Sequence, residues 1–147
     1  MGMYTEIVAA FELLADTPQI VLDVLASMCD GRLPEPKELP NHPLFDKTRK
    51  SRWQAMLNCD SYYFAGDTHS TLRYDDISET HYLTVRSNLK NYNYEIKNFL
   101  DWIEPYSVPR EEREDGTYFV GYWRYEENSE PTLIYLRSAR SLERARR

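Results

Sequence analysis

Five glycines, three histidines and two cysteines in 147 residues are few, and each scarcity removes a class of function. The glycines form no glycine-rich phosphate loop, and no P-loop lysine occurs. Cys29 and Cys59 lack the paired spacing of a zinc site and are too few for a disulfide framework. Both are read as reduced thiols in a cytoplasmic protein. His42, His69 and His81 show no metal-ligand spacing, such as two histidines four apart on a helix. No apolar run approaches the roughly 20 residues of a membrane span. The N-terminus lacks the basic stretch and apolar core of a secretory signal, and Glu6 stands where a myristoylation motif needs Ser or Thr.

Basic charge is scarce as well. The net charge is −6, yet residues 137–147 hold five arginines and one glutamate, so residues 1–136 carry −10. An acidic body discourages direct nucleic-acid binding, and a basic tail over 138–147 reverses that only locally.

What is present reads in order as alternating elements. Tyr4–Leu14 predicts a strand with Ile7, Ala9, Phe11 and Leu13 on one side and Val8, Ala10 and Leu14 on the other, Glu12 being the exception. A strand apolar on both sides is expected inside a sheet, covered twice. Asp16-Thr17-Pro18 predicts a helix start with Thr17 as cap, and Gly31 a left-handed end. Val21, Val24, Leu25 and Met28 form one helical stripe. Pro34, Pro36, Pro40 and Pro43 then impose a loop, followed by a short helix over Ser51–Asn58. Ser61–Gly66, Ser70–Asp75 and Thr80–Leu89 predict three strands in an antiparallel meander. A second helix follows, entered at Asn91, and then a hairpin of Thr117–Tyr125 with Thr132–Leu136.

Shifting the numbering by 75 sets Val8, Ala10 and Leu14 on Leu83, Val85 and Leu89. The helical stripe falls on Ile96, Phe99, Leu100 and Ile103. The expected fold is α+β: duplicated β-α-β-β units in a largely antiparallel sheet, with two main helices on one face. Unit one spans 3–76 with a proline-rich insertion near 31–60, and unit two spans 80–137. Neither half buries enough apolar surface to offset its chain entropy, so 1–147 is read as one domain.

Several segments together carry a resemblance. They are Tyr4-Thr5-Glu6, Asp16-Thr17-Pro18, Leu39-Pro40-Asn41-His42-Pro43-Leu44-Phe45 and Cys59-Asp60-Ser61-Tyr62-Tyr63-Phe64. Asn88-Leu89-Lys90-Asn91-Tyr92, Glu95-Ile96, Arg124-Tyr125-Glu126-Glu127 and Glu130-Pro131-Thr132-Leu133-Ile134-Tyr135 complete it. In these the chain resembles a family of small proteins encoded by bacteriophages, prophages and other mobile elements, to which no activity is assigned. The arginine-rich end lies outside the pattern. The resemblance implies a setting inside a bacterial host, where small accessory phage proteins often block defence by binding a protein or a signalling nucleotide.

Three constellations are candidates for chemistry. Asp67, His69 and Ser70 share a turn and suggest a hydrolytic trio, but turns favour these residues anyway and no nucleophile elbow is present. Arg73-Tyr74-Asp75-Asp76 and Arg124-Tyr125-Glu126-Glu127 place paired acids at strand ends, which suits a divalent cation in a nuclease or phosphodiesterase. The ordinary reading of such acids is an exposed turn. Third, 12 tyrosines and three tryptophans crowd the strands. Alternation puts Tyr82 on the opposite side from Leu83 and Val85. Tyr62, Tyr82, Tyr122, Trp123 and Tyr135, with Arg73 and Arg124, are the expected binding residues of a second sheet face. That face predicts a host defence complex, a nucleotide signal or a second copy of the chain as its occupant. No cofactor and no catalytic residue is expected.

Overall fold

The computed structural model describes residues 3–46 and 52–138. The sequence-predicted basic tail lies outside the described residues apart from Ser138.

Five strands form one antiparallel sheet: β1 (Thr5–Glu12), β2 (Thr71–Asp75), β3 (Thr80–Leu89), β4 (Thr117–Tyr125) and β5 (Thr132–Arg137), in the order β2-β3-β1-β4-β5. β1 is central, bonded to β3 on one side and β4 on the other. Its pleat sorts the molecule. Ile7, Ala9, Phe11 and Leu13 are buried against two helices, α1 (Gln19–Cys29) and α2 (Glu95–Ile103). Phe11 meets Phe99 of α2 edge-on, with ring centroids 6.0 Å apart. The helical stripes Val21, Val24, Leu25, Met28 and Ile96, Phe99, Ile103 enter the same core. The fold is thus α+β, an antiparallel sheet with its helices packed on one face.

The proline-rich insertion belongs to that core. Pro43–Phe45 and Trp53–Ala55 are single 3₁₀ turns, so the short helix expected over Ser51–Asn58 is only a turn where it is described. Phe45 sits 5.1 Å from Trp53 and 4.9 Å from Trp102 of α2, both in edge-on geometry. With Leu44, Met56 and Leu57 buried as well, the insertion forms an outer wall of the helix layer.

Local signals behaved unevenly. Thr17 does not cap α1: its hydroxyl donates to the Leu14 carbonyl at 2.6 Å, closing the preceding turn, and Pro18 occupies the cap position. Nor does Gly31 end the helix in a left-handed conformation, since the extended Asp30 does so. Asn91 does act at the start of α2, its side-chain oxygen accepting the Ile96 amide at 3.0 Å.

The larger corrections concern Ser61–Gly66 and the repeat. Ser61–Gly66 is not a strand. Asp60 accepts the Ser61 amide and the Ser61 hydroxyl accepts the Tyr63 amide, so side chains divert the backbone into turns. The meander therefore has two strands, and the first unit lacks one of those expected. The offset of 75 is also out of phase: Val8 lies on the face away from the helices and Leu83 on the face toward them. An odd shift inverts a pleat of period two. The helices match at this spacing, the strands do not, and duplication is not supported by the arrangement.

β4 approaches β1 very closely where its register shifts between Phe119 and Gly121. A Cβ on Gly121 would fall 2.0 Å from the Val8 carbonyl oxygen. Gly121→Ala is expected to lower stability in urea by about 2 kcal/mol or more, because backbone would have to move. Gly31→Ala, whose Cβ would meet only the Asn58 side chain, at 3.3 Å, is expected to stay within about 0.5 kcal/mol.

Candidate functional site: the uncovered face of the sheet

The even-numbered residues of β1 point away from the helices, and among the described residues only the 59–68 segment covers them, at the Glu6 end. Val8 is half-buried and Ala10 exposed, so β1 is internal in the sheet but not covered twice as its composition suggested. Beside them stand Tyr82, Thr84 and Arg86 of β3, Arg73 of β2, Phe119, Tyr122 and Arg124 of β4, and Leu133 and Tyr135 of β5, placed by register.

Two charged clusters mark the ends of this face, roughly 20 Å apart at strand rise. At one end Glu12 is buried in most of its side chain and accepts bonds from Arg110 Nε at 3.1 Å and from the Tyr82 hydroxyl at 3.0 Å. Arg73 and Arg110 also stack on the Tyr82 ring, at 4.8 and 5.7 Å from its centroid. At the other end Glu6 is shared by two arginines, Arg86 at 3.4 Å and Arg124 at 3.7 Å. Segment 59–68 folds over that end. Its Cys59 carbonyl accepts the Asn88 amide and the Thr68 hydroxyl, which pins the loop to β3 and seats Phe64 under the Arg124 guanidinium at 5.2 Å.

To one side of the clusters, on β4 and the edge strand β5, Phe119, Leu133 and Tyr135 are exposed, with Arg113 4.7 Å above the Tyr135 ring. Five arginines (73, 86, 110, 113 and 124) face Glu6, Glu12, Asp75 and Glu111 here, so this face does not share the acidity of a body that carries −10 over residues 1–136.

Of the sequence-predicted binding residues, the structure brings together Tyr82, Tyr122, Tyr135, Arg73 and Arg124. Trp123 is a correction: it pairs with Ile7 and packs on the helix-side core. Tyr62 sits apart on the 59–68 loop, 91% exposed, its ring 5.1 Å from that of Tyr63. Glu6, Glu12, Arg110 and Phe119 were missed. The signal for two of them was legible, because Glu6 and Glu12 share the pleat of Val8 and Ala10, and two acids on one strand side point to an open face.

The catalytic constellations do not assemble. Asp75 and Asp76 lie beyond the Glu12 end of β1, while Glu126 and Glu127 lie beyond its Thr5 end, roughly 30 Å or more away at strand rise. Asp75 accepts from Ser78 within its own turn, and Glu126 accepts the Tyr4 amide just ahead of β1, so each is used locally and apart from the other. Among the described residues no group of three or more His, Cys, Asp or Glu is placed to hold a metal ion. Ser70 accepts the Arg86 amide and His69 is exposed, which leaves the Asp67-His69-Ser70 trio as a loop running along β3. His42 accepts the Leu44 amide, and burial lowers its pKa against an opposing pull from Asp101. His81 lies against Tyr74 with centroids 5.1 Å apart. Burial, reinforced by Asp30, pushes the Cys29 thiol up to about 12, far from a nucleophile's range.

The Glu12 carboxyl is held below the ordinary glutamate range, first by the Arg110 hydrogen bond, with burial opposing and Tyr82 assisting. A depressed folded pKa gives stability that is present above the unfolded value and lost as pH falls through the folded one. Glu12→Gln is expected to cost less than about 1 kcal/mol at pH 7, since Arg110 is largely in solvent. Urea unfolding across acid pH should show wild type and variant converging; a constant gap would assign the loss to packing instead.

Comparison with known proteins returned no match to this chain among family models, curated proteins or solved structures.

Proposed function

We propose that this protein works by binding, as an accessory protein of a bacteriophage or mobile element that occupies a host defence complex in the bacterial cytoplasm. The observation that carries the binding reading is the open sheet face, with an exposed apolar patch of Phe119, Leu133 and Tyr135 on β4 and the edge strand β5 and Arg113 over the Tyr135 ring. Aromatic side chains and arginine dominate the energetics of protein interfaces, and an exposed apolar centre inside a polar rim is their usual anatomy. The mobile-element setting is supported by the segments from Tyr4-Thr5-Glu6 to Glu130–Tyr135 that carry the family resemblance. No described helix is long and apolar enough to cross a membrane.

The test uses side chains of this patch, which can be changed without entering the core. Expression in a host whose defence restricts phage growth is expected to restore plaque formation. Phe119→Asp with Tyr135→Asp is expected to abolish that rescue and weaken capture of the defence complex by about a hundredfold or more. An unchanged melting temperature would confirm that the double variant folds. Rescue that survives the substitutions would overturn the assignment of this face. Light scattering provides a second check. A stable dimer that dissociates in the double variant would make a second copy the occupant, against the host-complex reading.

A further inference from the structure

The Glu6 end of the open face has features that neither stability nor a flat protein interface requires. We infer that the groove between Arg86 and Arg124 is an anion site that takes the phosphate group of a small phosphorylated molecule. This inference does not depend on the host-complex reading.

The geometry is specific. The Glu6 side chain is 5% exposed, and its two carboxylate oxygens are divided between two guanidiniums: Oε2 lies 3.4 Å from Arg86 Nη2, and Oε1 lies 3.7 Å from Arg124 Nη2. A buried carboxylate needs one positive partner to offset its desolvation. Here it has two, so the cluster carries a residual charge of +1. Both contacts are longer than the roughly 2.7–2.9 Å of a strong charge-assisted bond, and neither is the bidentate fork that arginine makes with a committed carboxylate partner. The two arginine side chains remain 34% and 36% exposed. They line a groove of about 260 Å³ with Ala65, Gly66, Tyr122 and Pro131.

The surroundings hold the guanidiniums in place before any ligand arrives. Arg124 lies over the Phe64 ring. Arg86 lies so close to Gly66 that a Cβ there would fall 1.6 Å from Nη2, so the absence of a side chain at 66 creates the seat for the guanidinium. Two planar donor groups flanking one space suit the several oxygens of a phosphate, and a phosphomonoester dianion exceeds a carboxylate in charge. The volume decides how much of the ligand enters. Enclosing pockets for whole small molecules start near 300 Å³. This groove therefore accommodates the phosphate and little more, leaving the rest of the molecule along Tyr122 and the open face.

Amide NMR titrations of the full chain provide the test, with inorganic phosphate, adenosine monophosphate and a short single-stranded oligonucleotide as probes. Both small probes are expected to shift Ala65, Gly66 and Arg124, with dissociation constants of about 1 mM for phosphate and lower for the nucleotide. Arg124→Gln is expected to weaken both by about tenfold or more. Gly66→Ala, which displaces the Arg86 guanidinium from its seat, should weaken both while leaving the melting temperature close to wild type. Glu6→Gln raises the site from +1 to +2 and is expected to tighten binding, an effect opposite to that of simple damage to the fold. If Glu6→Gln does not fold, wild type and Gly66→Ala decide alone. Absence of shifts at Gly66 and Arg124, or shifts that persist unchanged in Arg124→Gln and Gly66→Ala, would overturn the site and leave the triad a purely structural ion cluster. An oligonucleotide that binds more tightly than the mononucleotide would overturn the assignment to a small ligand.

Discussion

Side-chain alternation along β1 is the constraint on which the molecule depends. This strand is hydrogen-bonded on both edges, so its register fixes β3 and β4 and, through them, β2 and β5. One set of its side chains supplies the middle of the core, and the other supplies the floor of the open face. A slip of one residue would put Glu6 and Glu12 among the helices and Ile7, Phe11 and Leu13 in water. The apolar seam from Ile7 to Leu13 resists that slip. It therefore also holds in place the two glutamates that organise the arginines on the far side.

The sequence was most legible where local pattern and tertiary environment agree. β3 and β4 have the bounds their residues suggest, β5 runs one residue further, and the stripes of α1 and α2 both face inward. Alternation alone put Tyr82 opposite Leu83, and the pairing confirms it. Legibility failed where short side chains compete with the backbone. Asp60 and Ser61 turn a run of aromatic residues that reads as a strand into a loop, and Thr17 spends its hydroxyl on Leu14. The apparent repeat failed for another reason: apolar content matched while the pleat did not. The arginine clusters were least accessible, because Arg86, Arg110 and Arg124 meet their glutamates across separations of 80, 98 and 118 residues, distances that only sheet register resolves.

These features explain why the paired acids and the Asp67-His69-Ser70 trio stay apart from one another in the fold. The chain's carboxylates are used singly, as partners for an arginine or as acceptors for a turn, and its histidines stand at separate places in the fold. The aromatic residues divide likewise. Trp53, Trp102 and Phe45 stiffen the helix layer, whereas Phe119, Tyr122 and Tyr135 remain on the surface of the sheet. The function proposed above thus concerns surface shape and charge, built on a scaffold whose stability comes from the opposite side.

The 59–68 loop has a consequence for how such a protein diversifies. Its ends are clamped to β3 through the Cys59 carbonyl, yet Tyr62, Tyr63 and Ala65 at its crest are exposed and bury nothing essential to the core. Substitution of Ala65 can reshape one wall of the groove, and of Tyr62 and Tyr63 the surface beside it, without disturbing β1, while Phe64 and Gly66 keep the guanidiniums seated. Variation in what the face accepts can accumulate on three crest positions, and the cost to folding stays low.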